Sequence, residues 1–279
     1  MKHWRFFPIL VKIEVLRNMD LSDRLSFSKC SKKCRNLLSR TPNHLESFII
    51  PDDDDFSVDD FLTLMTCQKS TIQELQVEID TAQERYHVNQ FLLKLREVGS
   101  TLKVRKLIME ICSKYSEMYK KVIGFCDPFS IESIEIESLG SQEIYEHILK
   151  TPQWRNSQKI SLNWSFDKFL KVNLNDFLHF KSMELRVEEL SVEDAWKLVQ
   201  NIVSIGSQGD SIDIILEKPV PDSLIREKIE SELAGDWKDV GSSDGRYLRH
   251  PENPHLILEY LCSRNELDVA LRTLEELNM

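Results

Sequence analysis

The chain has 279 residues, 41% hydrophobic and 29% charged, with a formal net charge of −10. That is apolar enough for a packed core and longer than one ordinary module of about 100–200 residues. Gly (8) and Pro (9) are too few for long linkers or low-complexity tails, and the acid excess repels phosphate backbones, which argues against a general nucleic-acid binder. Lys12, Glu14 and Arg17 interrupt the first apolar stretch, so it does not read as a secretory signal. No segment approaches the roughly 20 uncharged apolar residues of a membrane span. The expected setting is intracellular, cytoplasmic with the nucleus left open. Six cysteines (Cys30, Cys34, Cys67, Cys112, Cys126 and Cys262) are scattered, and reduced, mostly buried thiols are expected. Cys30 and Cys34 would share a face if they lie on one helix, yet no CxxC or HxxxH pair completes a metal site.

Residues 5–45 read as a small helical unit. Pro8 opens an apolar run of Ile9, Val11, Ile13, Val15, Leu16 and Met19, with spacings of three and four that suit an amphipathic helix carrying Pro in its first turn. Asp20 is placed to cap a second helix, whose apolar side is Leu21, Leu25 and Phe27. A third follows from about Ser31, with Cys34, Leu37 and Leu38 inward and Lys32, Lys33 and Arg35 outward; Pro42 ends it.

The run FFPILVKIEVLRNMDLSDRLSFSKCSKKCRNLLS, Phe6 to Ser39, resembles an F-box of the kind abundant in nematodes. Phe7-Pro8 stands where that family has Leu-Pro, Met19-Asp20-Leu21 matches its middle, and Ser28-Lys29, Ser31-Lys32 and Arg35 match its last helix. The resemblance implies docking to the Skp-type linker of a cullin–RING (SCF-type) ubiquitin ligase, with the rest of the chain recognising a protein for ubiquitin-dependent degradation. A box of about 40 residues buries little apolar surface alone and has side chains to spare for a partner helix. Pro8, Ile9, Val15, Leu16, Met19, Leu25 and Phe27 are therefore expected at that interface; the alternative is that they form the box's own core.

From residue 46 one pattern recurs, a short strand-like stretch and then a helix-like one. The strand candidates are 47–50, 75–79, 106–111, 133–138, 159–164, 184–188 and 211–216. Their central residues, Ile50, Val77, Met109, Ile136, Leu162, Val187 and Ile214, are 27, 32, 27, 26, 25 and 27 residues apart. Leucine-rich repeats run about 20–29 residues with one strand each. Between strands, Ser57 with Asp60 marks one helix start, and Ser191 with Asp194 marks another that carries Ala195, Leu198, Val199 and Ile202 and stops at Gly206. The stretch LRVEELSVEDAWKLVQNI, 185–202, resembles the repeat of nematode F-box-associated domains. The asparagine ladder of a regular repeat is missing, with Asp80, Leu139 and Leu190 at the comparable offset. Further on, Trp237, GRYLRHP and HLILEYL suggest a hairpin, and residues 263–278, with Leu267, Ala270, Leu271, Leu274 and Leu277, read as a last helix. The fold expected is α/β. A three-helix F-box (1–45) precedes an irregular leucine-rich-repeat-like solenoid of parallel strands and helices (46–279), closed by a hairpin and helix cap from about 217.

Strand parity puts Gln76, Glu78, Ile108, Glu110, Glu135, Glu137, Ser161, Asn163, Arg186, Glu188, Asp213 and Ile215 on the face not covered by helices. Such a face favours a basic protein segment, or is simply a solvated sheet surface. Of these, Glu78, Glu110, Glu135, Glu137, Asn163, Arg186, Glu188 and Asp213 are the candidate contacts to a target protein. Asp52 to Asp55 suit a solvated loop better than a metal site. No Gly-rich phosphate loop, GxSxG, HExxH or paired-Cys pattern is present, and His87, His147 and His179 are isolated, so neither enzyme nor cofactor is expected. The alternatives are a scaffold with no ligase link and an unrecognised hydrolase.

Overall fold

The structure is a computed structural model. It describes residues 6–19, 21–50, 61–62, 65, 69–137, 142–163, 171–205, 207, 209–218, 222–233, 238–239, 246–249, 256–263 and 266–273. The proposed caps Asp20 and Ser57, the Asp52–Asp55 run, Cys67, Leu139, Gly206, Trp237, Leu274 and Leu277 lie outside them. The architecture is mixed α/β, helical at the N-terminus and then built on parallel strands. Contacts divide it into two compact units, Met1–Ile131 and Glu132–Met279.

The first unit begins with α1 (Ile9–Arg17), α2 (Leu21–Cys30) and α3 (Lys32–Leu38). Pro8 precedes α1, and its carbonyl accepts from the Lys12 N–H at 3.1 Å. Ser31 caps α3, its hydroxyl accepting from the Cys34 N–H at 3.2 Å. Leu16, Leu25, Leu37 and Leu38 form a core against which Ile13, Met19 and Phe27 pack in part. The end of α1 is satisfied from the next helix. Arg24 donates to the carbonyl of Arg17 (2.6 Å), an orphan acceptor at the helix C-terminus, and to that of Met19 (2.9 Å) just beyond it. Its third bond goes to the Asn43 side-chain oxygen. Asn43 receives Thr71 N–H on its carbonyl at 2.9 Å and donates its own N–H to Ser70 Oγ at 3.0 Å. One arginine thus ties the helices to the sheet that follows.

That sheet is β1 (His44–Ile50), β2 (Thr71–Ile79) and β3 (Val104–Ile111), all parallel. Two helices with both ends among the described residues accompany it. The first, α4 (Ala82–Val98), opens on a full capping box of Thr81 and Glu84 and closes on Gly99 at φ 64°, a left-handed cap that glycine adopts without strain. The second is α5 (Glu117–Phe125). Val88, Phe91, Leu92 and Leu95 of α4 are buried, and Phe91 packs with Phe48 and Phe61 (centroids 6.5 and 5.2 Å). Buried residues alternate in the later half of β2 (Leu75, Val77 and Ile79), and β3 keeps the same inward positions (Leu107, Met109 and Ile111) with Ile108 buried as well. Earlier the step is three, Ile72 to Leu75 and Val104 to Leu107, in matched register across the pair.

The second unit contains β4 (Ser133–Glu137), β5 (Lys159–Asn163), β6 (Ser182–Val187) and β7 (Ser211–Leu216), parallel and adjacent in that order. Each buries alternate residues, such as Ile134 and Ile136 or Ile212 and Ile214. The helices are α6 (Gln142–Ile148), α7 (Pro152–Asn156), α8 (Val192–Ile205) and α9 (Asp222–Leu233). Ala195, Leu198, Val199 and Ile202 form the buried stripe of α8, and Ser191 Oγ accepts from Asp194 N–H at 3.1 Å at its start.

One expectation is overturned. Where the segment 263–278 is described it is not a helix: Glu266–Thr273 is a strand, here β11, antiparallel to β7 on one side and to β10 (Leu256–Ser263) on the other. The expected hairpin is present, with β9 (Arg246–Arg249) paired to β10 and the short β8 (Lys238–Asp239) paired to β9. Leu267, Ala270 and Leu271 match a helical stripe, yet Val269 is buried between them. Leu267, Val269 and Leu271 face inward with period two, while Asp268 and Arg272 face outward. With hydrogen-bonding strands on both sides, the backbone needs no helical partners. Cys30 and Cys34 do not share a helix either, because α2 ends at Cys30 and α3 starts at Lys32.

Candidate partner-docking surfaces

In the box, burial separates residues that the sequence pattern groups together. Leu16 (0%) and Leu25 (8%) belong to the core, and Met19 and Phe27 are half-buried against it. Pro8, Ile9 and Val15 are exposed, Ile9 at 54% and Val15 at 43%. Phe6, Phe7, Leu10 and Val11 are exposed as well, Leu10 at 75%. Three consecutive apolar residues, Ile9, Leu10 and Val11, step about 100° apart around a helix and cannot all face one core. That run is the signal for an outward apolar surface, and Leu10 is the residue the periodicity argument missed.

The sheet face away from the helices is polar in both units. In the first unit Glu78 lies directly beside Glu110 and accepts from Gln76 Nε2 at 2.6 Å. Ile108, expected on this face, is buried (8%). In the second unit the register aligns one residue per strand, Glu135, Ser161, Glu184, Asp213 and Asp268, from β4 through β7 to β11. Neighbouring strands lie about 4.8 Å apart, so like charges in this row repel at close range. Ser161 Oγ relieves one of them by donating to Glu184 at 2.9 Å. Burial, then the charges of Asp268, Glu266 and Glu184, pushes the Asp213 carboxyl above its ordinary value. Asp213 Oδ1 is buried with no hydrogen-bond partner among the described residues. Asp268 is raised too, by burial and by Glu259, against the opposing pull of Arg272. Ser133, Lys159, Ser182 and Ser211 join Ser161, Glu184 and Asp213 around a shallow depression.

Of the target-contact candidates in this unit, Glu135 and Asp213 share that row, and Glu137 pairs with Asn163 in the next. Arg186 sits beside Ile215. Glu188 lies beyond the end of β6 and is held by Lys218 (2.6 Å) and Lys171 (3.5 Å); the Lys218 hydrogen bond keeps its carboxyl below the usual range. Sequence reasoning missed Glu184, Glu266 and Asp268. Glu184 follows the same parity as Arg186, whereas Asp268 was hidden by the helical reading of its segment.

Among the described residues no cluster of three or more His, Cys, Asp or Glu could hold a metal ion, and no helix is long and apolar enough to cross a membrane. His179 packs on Trp154, its Nε2 3.0 Å from the Trp154 carbonyl. Cys126 is buried, and burial together with Asp127 pushes its thiol up to about 12.

The family model of the F-box domain matches residues 4–46, which hold α1 to α3, and that of the FTH domain matches residues 85–224, half of the chain. The chain belongs to the FTH-domain family. An F-box followed by an FTH domain is the arrangement typical of nematode F-box proteins. No curated protein and no solved structure matches the chain. F-box domains generally bind Skp-type linkers, and the F-box and FTH pair is typical of adaptors, not enzymes. The FTH match runs from α4 into α9 and so holds β3 to β7. In this F-box/FTH protein, four of the five residues in the second unit's polar row lie within the FTH domain; Asp268 comes from the strand beyond it.

Proposed function

We propose that this F-box/FTH protein is a substrate-recognition adaptor of an SCF-type cullin–RING ubiquitin ligase. The observation that carries the reading is the uncovered apolar surface of α1 on a box that already has its own core. Pro8, Ile9 and Val15 give a linker helix an apolar face to bury, with Leu10 beside them. Met19 and Phe27 contribute the edges they leave exposed. Leu16 and Leu25 act from beneath by holding the helices in place. Burying such a face stabilises a complex by about 25 cal/mol per Å² before the costs of association.

The target is a protein held on the open sheet face. Glu135, Glu137, Asn163, Arg186 and Asp213 in the second unit, and Glu78 and Glu110 in the first, suit a basic segment, through steering and register more than raw affinity. Glu188 is already bridged to two lysines and takes part by exchanging one of them. The strand-helix alternation supports a leucine-rich-repeat-like array. Its place of work is the cytoplasm or nucleus, where cullin ligases act.

The test uses the full chain. Wild type is expected to capture a purified Skp-type linker and, through it, a cullin, whereas Ile9→Asp/Leu10→Asp loses both with an unchanged circular dichroism melt. A wild-type chain that captures its target and no linker would assign it instead to an interaction scaffold without a ligase role.

A further inference from the structure

Two buried polar atoms of opposite kind lie unpartnered on the open sheet face of the second unit. Among the described residues, Arg186 Nε is a donor without an acceptor and Asp213 Oδ1 an acceptor without a donor. They are diagonal neighbours across β6 and β7, where Glu184 stands beside Asp213 and Arg186 beside Ile215. They do not bond to each other. Buried polar atoms left unpaired destabilise a fold, so a donor and an acceptor orphaned side by side mark a surface that is completed from outside.

The two atoms ask for different groups. Asp213 has Glu184 on one side and Asp268 on the other. Three carboxylates in a row call for a cation, and the planar fork of an arginine meets two of them at once, as a lysine ammonium does not. Arg186 lies one row along, beside the apolar Ile215, and calls for a negatively charged acceptor. The rows are two residues apart along each strand, about 6.6 Å. Side chains at alternate positions of an extended peptide have that same spacing and point the same way. A uniformly basic segment would set a like charge over Arg186, and a polyanion would meet the carboxylate row.

We propose that this face recognises, in its target protein, an extended segment with an arginine and an acidic residue two positions apart. The guanidinium lies over Asp213 and its neighbours Glu184 and Asp268, and the carboxylate accepts from Arg186. The proposal rests on the reading above that the open sheet face holds the target, and it replaces a generally basic segment with a paired one.

The experiment measures fluorescence anisotropy of the full chain with three labelled nine-residue peptides, otherwise of Ser, Thr and Val. They carry Arg-x-Glu, Arg-x-x-Glu and Arg-x-Gln. In an extended peptide the first puts both charges on one face and the second puts them on opposite faces. Arg-x-Glu should bind about tenfold more tightly than either of the others. Arg186→Met should erase its advantage over Arg-x-Gln, whereas Asp213→Asn should weaken both alike. Asp213→Asn removes a like charge from the row and Arg186→Met an orphaned donor, so neither should lower the circular dichroism melt. Equal binding of all three peptides, still weakened by Asp213→Asn, overturns the pairing and leaves a basic segment on the open face. An advantage that survives Arg186→Met also overturns it. Wild type that binds none of the peptides, while still capturing a Skp-type linker, overturns the pairing together with the open face as a site for basic segments, and leaves the adaptor reading standing.

Discussion

Val15 and Leu16 are neighbours on α1 with opposite roles, and substituting each separates folding from docking. Leu16 has no solvent exposure and packs with Leu25, Leu37 and Leu38. Leu→Ala at such a site loses the transfer energy of the removed atoms plus a cavity term, about 3 kcal/mol within a usual range of 2.7–5. The core cluster here is small, so little repacking can offset the loss. About 3 kcal/mol equals roughly two orders of magnitude in the opening equilibrium of the box. Val15 is 43% exposed, and Val15→Ala should change stability by less than about 0.5 kcal/mol. Native-state hydrogen exchange of amides in α1 to α3 reads the first effect, and linker titration reads the second. Leu16→Ala should raise box exchange about a hundredfold, whereas Val15→Asp should leave exchange unchanged and weaken the linker complex. Equal protection in wild type and Leu16→Ala would show that Leu16 is not the centre of the box core and would refute the division of α1 into inner and outer faces.

Arg24→Ala should cost about 2 kcal/mol in urea unfolding, because it strips charged donors from the Arg17 and Met19 carbonyls and from Asn43; Arg24→Lys should recover only part, lacking the planar fork. Asp213→Asn should stabilise the protein by about 0.5 kcal/mol at neutral pH by removing a like charge opposite Asp268. The sign follows from its raised carboxyl. The folded state holds this proton more tightly than the unfolded chain, so stability falls as pH rises from the ordinary aspartate value through the raised one. Asp213→Asn should flatten that slope, and melts across acidic pH that superimpose with wild type would refute it. Thr81→Ala should cost about 1 kcal/mol by dismantling the capping box of α4. The Glu84 carboxyl is lowered by hydrogen bonds from the Asp80 and Thr81 N–H groups, so its contribution is present above the ordinary glutamate value and lost as pH falls through the lowered one. A pH-independent effect of Glu84→Gln on the melting temperature would remove that reading.

The strand positions were legible because alternation is a local property. Ile134 and Ile136, or Ile212 and Ile214, declare their faces without knowledge of their neighbours. The Ser191 start and buried stripe of α8 were legible for the same reason, a cap and a 3.6-residue period within one segment. The segment of β11 was not. Leu267, Ala270 and Leu271 satisfy a helical period while Leu267, Val269 and Leu271 satisfy a strand period, and the choice falls to β7 and β10, which pair with its backbone on both sides. That outcome moved Asp268 from an expected helix to a place opposite Asp213, completing a row no single segment foretells.

The box shows the same boundary. Its sequence determined three helices, their starts at Pro8 and Ser31, and the outward lysines of α3. Which apolar residues stay buried was decided only when the helices packed. Periodicity tells that Val15 and Leu16 are both apolar; the neighbours at Leu37 and Leu38 decide that Leu16 is covered and Val15 is left for a partner. Local pattern sets each element and its polarity, whereas occupancy of a face depends on contacts between residues distant in the chain.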